Sequence, residues 1–344
     1  MPIRVSINGA GRIGRAFFNM ASESDEVEVV AINDLTDIDN IAYLINHDSA
    51  YGRRKNPVSV NEGRNAFIDG EKQIAFFQES DPEKLPWKDL DIDVVVEATG
   101  VFTKFTDAEK HITAGAKRAV ISAPAKDEPG ENNKTVLLGI NEEDLKGAVV
   151  SSNASCTTNA VSPVVRILHD GIGIKNAILN TVHAYTISQS IVDSFNKKNP
   201  RLGRAGAQNI VPTSTGAATA TTKVMTDLEG KFDGIALRVP VVTGSIADIT
   251  FTASRETSVE EVNGVLKSAA NNERWKGIFT TTEEPIVSSD VIGMEWGSIA
   301  DLSFTRVVGG DLVKVLAWYD NEMGYTAMLL KHVMMIGKHA NDSK

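Results

Sequence analysis

The stretch Ser152–Ala160, SNASCTTNA, holds the only cysteine of the 344-residue chain, set among hydroxyl and carboxamide side chains. A free cysteine otherwise behaves as a small hydrophobe among apolar neighbours. A polar setting suits chemistry, because the thiolate is a nucleophile that nearby amides or cations can favour. Ser155 is suited to cap a helix through CTTNAVSPVVRILHD, where Ala160, Val164 and Leu168 mark an apolar face. Cys156 then occupies the first turn, where unpaired amides and the helix dipole favour the thiolate. Pro163 inside that pattern predicts a kink or a late-starting regular helix. A thiolate needs a base or cation beside it, and the candidate is His183, in TVHAYT at the end of a predicted strand. Taken singly, each also reads as structural: a buried small side chain and a satisfied core or edge histidine.

A second group of residues suits phosphate. INGAGRIGR places Gly9, Gly11 and Gly14 in the G-x-G-x-x-G spacing between a predicted strand and a predicted helix. One glycine allows the tight turn, one lets backbone approach a pyrophosphate, and one lets helix and strand pack closely. The helix start adds free amides and a positive dipole end. Twenty residues beyond Gly14 the next predicted strand ends in Asn33-Asp34. An acid there binds ribose hydroxyls and repels a 2′-phosphate, so the reading is NAD in preference to NADP. A glycine turn without a ligand is the structural alternative.

The elements that must position these residues follow from hydrophobic period. IRVSI alternates as a strand, and Ile13, Phe17 and Met20 share a helical face in GRIGRAFFNMASES. VEVVAIND, DVVVEATG, RAVISAP and AVVSSN continue the series, predicting βαβ units and a mostly parallel sheet. After about residue 152 come longer strands with fewer helices: IKNAILNTVHAY, GIALRVP, SIADITFTAS, LSFTRVV and LVKVLAWY. These predict a second domain on a more antiparallel sheet, with a helix in ETSVEEVNGVLKSAANN. MGYTAMLLKHVMMIGK is amphipathic and suited to pack back onto the first domain. The length agrees with two domains.

Bulk properties exclude several classes. No apolar run is long enough to span a bilayer, and MPIRVSINGAGRIGR lacks the apolar core and cleavage site of a secretory leader. One cysteine forms no disulfide framework and fits a reducing cytoplasm. A net charge of −10 argues against a dedicated nucleic-acid partner, and six scattered histidines give no metal site.

The residues also carry a resemblance. SNASCTTNAVSP resembles the active-site signature of the phosphorylating glyceraldehyde-3-phosphate dehydrogenases. The likeness continues, in the family's order along nearly the whole chain, through INGAGRIGR, AINDLTD, EATGVFT, AGAKRAVISAPAKD, TVHAYT, RAGAQNIVPTSTGAA, LRVPV, VSSD and WYDNEMGY. It implies an α/β chain with an N-terminal Rossmann-type doubly wound domain and an α+β catalytic domain on a largely antiparallel sheet. Residues 1–152, completed by a C-terminal helix over 320–344, would bind NAD, and 153–319 would carry the chemistry. Cys156 would attack the aldehyde of glyceraldehyde 3-phosphate to give a thiohemiacetal, and His183 would take the proton. Hydride loss to NAD would leave a thioester, which inorganic phosphate would open to an acyl phosphate, in glycolysis or its reverse. The Cys156 amide and protonated His183 would stabilise the oxyanion.

The resemblance also assigns binding residues. Thr186 and Arg238 would hold the substrate phosphate, and Ser155, Thr157, Thr215 and Gly216 the inorganic phosphate. Arg238 is set between apolar GIAL and VPVV, a costly place for a charge without an anion. Arg12, Ile13, Asp34, Thr99, Gly100, Ser122, Asn321 and Tyr325 would join the glycines around the cofactor, Asn321 at the nicotinamide amide. A cytoplasmic homotetramer is implied.

Departures from the family pattern are local. Its second cysteine is Ala160 here, and Ala10 replaces a common phenylalanine. Ser194-Phe195 stand for a Leu-Pro pair of NAD-preferring members, compatible with some tolerance of a 2′-phosphate. Arg201-Leu202 stand where two arginines are usual; one lost charged phosphate contact weakens binding by about 1.5–3 kcal/mol unless Lys197, Lys198 or Arg204 substitutes. Two other readings remain: an erythrose-4-phosphate dehydrogenase that hydrolyses its thioester, and a non-catalytic NAD- or RNA-binding protein. Thr215-Gly216 favours phosphate as acceptor, and Leu202 pulls the other way.

Overall fold

The computed structural model describes residues 1–197 and 199–342; Lys198 and the last two residues of the predicted C-terminal helix lie outside the described residues. The chain divides into two compact units, Met1–Ala154 with the segment from Thr326 onward, and Ser155–Tyr325.

The first unit is built on a nine-stranded sheet. From edge to edge it runs Asn133–Thr135, Val150–Ser152, Arg118–Ile121, Val94–Glu97, Ile3–Asn8, Val27–Asn33, Lys72–Phe77, Ala66–Asp69 and Ser59–Val60. The first seven are parallel, and the last two add an antiparallel edge. Val94–Glu97 is buried at every position, as expected for a central parallel strand covered on both faces. Registry sets Asn8 opposite both Asn33 and Glu97, so the carboxyl ends of three adjacent strands finish level. Ligands of open parallel sheets bind beyond such strand ends.

The C-terminal helix spans Met323–Asp342, starting later than 320 because Asp320 serves as its cap. Asp320 Oδ1 accepts the amides of Glu322 and Met323 at 2.9 and 3.1 Å. Within the first unit this helix comes close to the first strand: a Cβ on Gly337 would meet Ile3 Cγ2 at 2.6 Å.

The second unit carries a seven-stranded sheet in the order Val211–Ser214, Phe232–Val239, Ile174–Ala184, Ser245–Ala253, Leu312–Tyr319, Ser298–Val308 and Phe279–Thr282. Four pairs are antiparallel and two parallel. Burial along Ser245–Ala253 alternates strictly, which fixes its register because a one-residue slip would turn its buried face outward. Helices Cys156–Gly171 and Val259–Ala270 pack on the sheet and on each other. Pro163 does not delay the first of these, which is regular from Cys156 onward. It removes one backbone bond, and the buried face from Val161 to Leu168 outweighs that loss. Among the described residues no helix is long and apolar enough to cross a membrane.

Candidate active site

Ser155 has extended backbone and its Oγ accepts the Thr158 amide at 3.1 Å, so the helix starts at Cys156. The strand Ile174–Ala184 brings His183 to its end, and parallel pairing sets Arg238 beside it. Cys156 Sγ lies 3.4 Å from His183 Nε2, and Arg238 Nη1 lies 2.6 Å from His183 Nδ1. Nδ1 is also 2.7 Å from Ala184 O, while Arg238 Nη1 donates to that carbonyl at 3.1 Å. Tyr319 packs its ring edge-on to His183, centroids 6.0 Å apart, and its hydroxyl bridges Thr157 and Thr181 at 2.9 and 2.8 Å.

Burial dominates the electrostatics here. It holds His183 down to about 3, helped by the Arg238 charge and opposed by the Ala184 carbonyl. It also pushes the Cys156 thiol above its ordinary value, more strongly than Arg238 and the local amides draw it down. Desolvation thus works against the preference for the thiolate that the amides of the helix start provide. Both shifts favour a thiol beside a neutral imidazole, which takes the proton when the sulfur attacks.

The other candidate anion-binding residues lie in the same unit. Arg238 Nε is buried with no hydrogen-bond partner among the described residues, which suits an anion on that face. Thr186 Oγ1 contacts Ser188 Oγ at 2.9 Å on a partly exposed turn. Thr215 Oγ1 accepts the Ala217 amide at 3.2 Å, and Gly216 caps the helix Ala217–Val224 without a side-chain cap. The Ser155 hydroxyl is engaged with Thr158, and the Thr157 hydroxyl is turned inward to Tyr319. Arg201 is exposed and Leu202 partly buried in a short 3-10 turn. Of the possible substitutes, Arg204 is paired with Asp193 at 2.9 Å, Lys197 is exposed, and Lys198 lies outside the described residues.

In the first unit the strand ends form a cavity of about 300 Å³ lined by Asn8, Gly9, Gly11, Asn33, Asp34 and Thr99 among others. Gly9 has φ +100°, and a Cβ there would meet Thr99 N at 2.6 Å; a Cβ on Gly14 would meet Gly9 O at 2.0 Å. A Cβ on Gly11 would meet nothing within 4 Å. Helix Arg12–Ala21 begins after Gly11 with no side-chain cap, as suits a helix start that receives a pyrophosphate. Asp34 accepts the Ala10 amide at 2.7 Å and the Thr36 amide at 2.8 Å, which ties the glycine loop to the second strand. These features fit a dinucleotide.

The remaining predicted cofactor residues are distributed around these elements. Arg12 turns its side chain to Asp48, and with Ile13 it supplies first-turn backbone. Gly100 has φ +71° just beyond the strand end, and the Ser122 amide bonds Glu97 O at 2.9 Å. Asn321 and Tyr325 are buried in the second unit.

Sequence reasoning missed Glu97. Its buried carboxylate accepts from Asn8 Nδ2 at 2.6 Å, Thr99 N at 2.9 Å and the Thr99 hydroxyl, and sits 3.0 Å from His111 Nε2. Trp87 Nε1 donates to His111 Nδ1 at 3.1 Å, so the imidazole proton is on Nε2. The Thr99 turn is held from beneath by this network. The local signal was the acid directly before Ala98-Thr99-Gly100.

One unit with parallel strands and a glycine-rich dinucleotide cradle, and a second bearing a paired cysteine and histidine, define an NAD-dependent oxidoreductase. Residues 3–105 match the glyceraldehyde 3-phosphate dehydrogenase NAD binding domain, and residues 155–321 match the C-terminal domain of the same family. The chain is 46% identical over 342 residues to a glyceraldehyde-3-phosphate dehydrogenase of Clostridium acetobutylicum, covering 98% of this chain and 99% of that one. It is 47% identical over 328 residues to one from Geobacillus stearothermophilus, covering 95% and 96%. With glyceraldehyde-3-phosphate dehydrogenase 1 of Bacillus subtilis it shares 45% over 340 residues, covering 98% and 99%. The chain belongs to the glyceraldehyde-3-phosphate dehydrogenase family.

Proposed function

We propose that the chain oxidises D-glyceraldehyde 3-phosphate to 1,3-bisphosphoglycerate, with reduction of NAD and uptake of inorganic phosphate, as a reversible step of glycolysis. The observation that carries the reading is the 3.4 Å approach of Cys156 Sγ to His183 Nε2 at the capped start of a helix. Cys156 attacks the aldehyde carbon while His183, neutral at physiological pH, accepts the thiol proton. The protonated imidazole and the Cys156 amide then stabilise the oxygen of the thiohemiacetal. Bound NAD supplies a hydride acceptor. As the carbonyl re-forms from the thiohemiacetal alkoxide, a thioester is left on Cys156 and His183 keeps the proton it took from the thiol. Phosphate oxygen then attacks the acyl carbon, the C–S bond breaks, and the sulfur regains a proton.

Arg238, with its unpaired Nε, and Thr186 hold the substrate phosphate in this reading. Thr215, Gly216, Ser155 and the backbone at Thr157 receive inorganic phosphate. Gly9, Gly11, Arg12, Ile13, Gly14, Asp34, Thr99, Gly100 and Ser122, together with Asn321 and Tyr325, hold the cofactor in this reading. We assign a cytoplasmic location and a homotetramer. The latter is supported by exposed Ile187, Ile191, Val192 and Phe195, and by Ile178 and Ile235 on an open sheet face. Light scattering after gel filtration at micromolar concentration tests the tetramer.

The deciding assay follows NADH formation from glyceraldehyde 3-phosphate with and without inorganic phosphate, with Cys156→Ala as the blank. Phosphate-dependent turnover, lost in the blank, is expected. Turnover indifferent to phosphate would overturn the phosphorylating step in favour of thioester hydrolysis.

A further inference from the structure

The Asn321 carboxamide is held in one of its two flip states. Gly244 N lies 3.1 Å from Oδ1, and a backbone amide only donates, so the atom facing it is oxygen. Ser245 Oγ lies 2.9 Å from the same oxygen. The Ser245 oxygen already accepts the Ala184 amide at 3.1 Å, so its one proton goes to Asn321. Thr243 Oγ1 is 3.3 Å from Asn321 Oδ1 but 2.9 Å from Asp320 Oδ1, and its proton goes to the carboxylate. The hydroxyl of Ser245 is therefore the side-chain donor that belongs to Asn321. Asn321 Nδ2 has no acceptor among the described residues and is not sealed from solvent, which leaves a fixed amide donor.

Ser245 is 1% exposed and Asn321 6%, so little water is at hand to replace the lost bond. Ala184 directly follows His183, so the run from the Ala184 amide through the Ser245 hydroxyl to Asn321 Oδ1 links the histidine strand to that donor.

We propose that Ser245 is a positioning residue for cofactor recognition: it holds Asn321 with Nδ2 outward, as a donor to the carboxamide oxygen of the nicotinamide ring. This rests on the NAD reading of Asn321 above. Alanine at 245 removes the donor and orphans the Ala184 amide, leaving the carboxamide to Gly244 alone.

The test is calorimetric titration of the full chain with NAD and, separately, with ADP-ribose, which lacks the pyridine ring. Ser245→Ala is expected to weaken NAD by about tenfold and to leave ADP-ribose within about twofold. Asn321→Ala should weaken NAD similarly, and adding Ser245→Ala to it should cost nothing more. Ser245→Cys keeps a side-chain donor, weaker and slightly larger, so an intermediate loss confined to NAD is expected, and it carries the comparison if the alanine variant does not fold. Equal loss for both ligands, no loss for NAD, or full additivity with Asn321→Ala would overturn the proposal. If the unaltered chain binds NAD and ADP-ribose equally, the proposal fails while the dinucleotide reading stands; if it binds neither, that reading fails and the proposal with it.

Discussion

Arg238 Nη1 lies 2.6 Å from His183 Nδ1, a hydrogen bond open only to an imidazole whose Nδ1 carries no proton. The Ala184 carbonyl, 2.7 Å from the same nitrogen, asks for the opposite, a proton to accept. One neighbour serves each neutral tautomer. With Arg238 donating, Nε2 bears the proton and faces the sulfur; with Ala184 accepting, Nε2 is bare and receives the thiol proton. The imidazolium is disfavoured at rest by burial and by the guanidinium charge beside it.

The same guanidinium works on the sulfur. Burial raises the Cys156 thiol, and the charge of Arg238 is the largest influence opposing it. Arg238→Gln should move the pH–rate profile of iodoacetamide alkylation toward higher pH and slow alkylation at pH 8 by roughly three- to tenfold. An unchanged profile would show that the sulfur does not sense the arginine.

The glycines of the first turn separate fold from binding. Gly14→Ala forces a Cβ to 2.0 Å from Gly9 O, so the helix must move off the strand and the thermal midpoint should fall by several degrees. Gly11→Ala meets no protein atom within 4 Å and has ordinary φ, so the ligand-free midpoint should stay within about a degree or two. Its methyl stands where backbone must approach the cofactor, and NAD affinity should drop about tenfold or more. Scanning calorimetry and NAD titration of the two variants check the contrast; a Gly11→Ala protein whose midpoint falls as far as that of Gly14→Ala, or one with full NAD affinity, would sink it.

Much of this was legible in local sequence, where one residue and its near neighbours decide the outcome. Ser155 capping, the glycine cradle and the Ser245–Ala253 alternation are of that kind. Arg238 and His183 are 55 residues apart, and only the register of two parallel strands makes them neighbours. Pairing across a sheet leaves no mark in either strand alone. Thr157 illustrates the same limit: its type suits an anion, but Tyr319, 162 residues away, takes its hydroxyl. Pro163 does not delay its helix, because the burial of that helix, invisible locally, outweighs the penalty of one backbone bond.

Asp34 contributes to cofactor choice through two backbone bonds as well as charge. Both oxygens accept amides, from Ala10 and Thr36. In Asp34→Asn one of those amides faces an NH2 group, and the charge that repels a 2′-phosphate is gone. The ratio of kcat/KM for NAD over NADP should fall by about tenfold or more. A ratio that did not change would move the source of discrimination elsewhere, Ser194 being the first place to look.

Two buried histidines should make the protein acid-sensitive above the carboxylate range. His332 is fully buried, and desolvation alone holds it at about 3. Its Nδ1 is 3.2 Å from Asn153 Oδ1 and must donate there, which leaves Nε2 to accept from the Ser151 hydroxyl at 2.7 Å. Both partners serve the neutral ring. The unfolded chain binds a proton at each histidine near 6.5, whereas folded His183 and His332 wait until about 3. Between those values the unfolded state holds more protons, so stability falls as pH drops from about 6.5 toward 3, and above 6.5 these groups contribute no slope. Each histidine removes about 2 kcal/mol between pH 6.5 and 5. His332→Gln keeps side-chain hydrogen bonding without a titrating group, and it should cut the drop in unfolding free energy between pH 7 and 5, measured in urea, by that amount. Equal drops in the variant and the unaltered chain would mean that folded His332 binds its proton near the ordinary value.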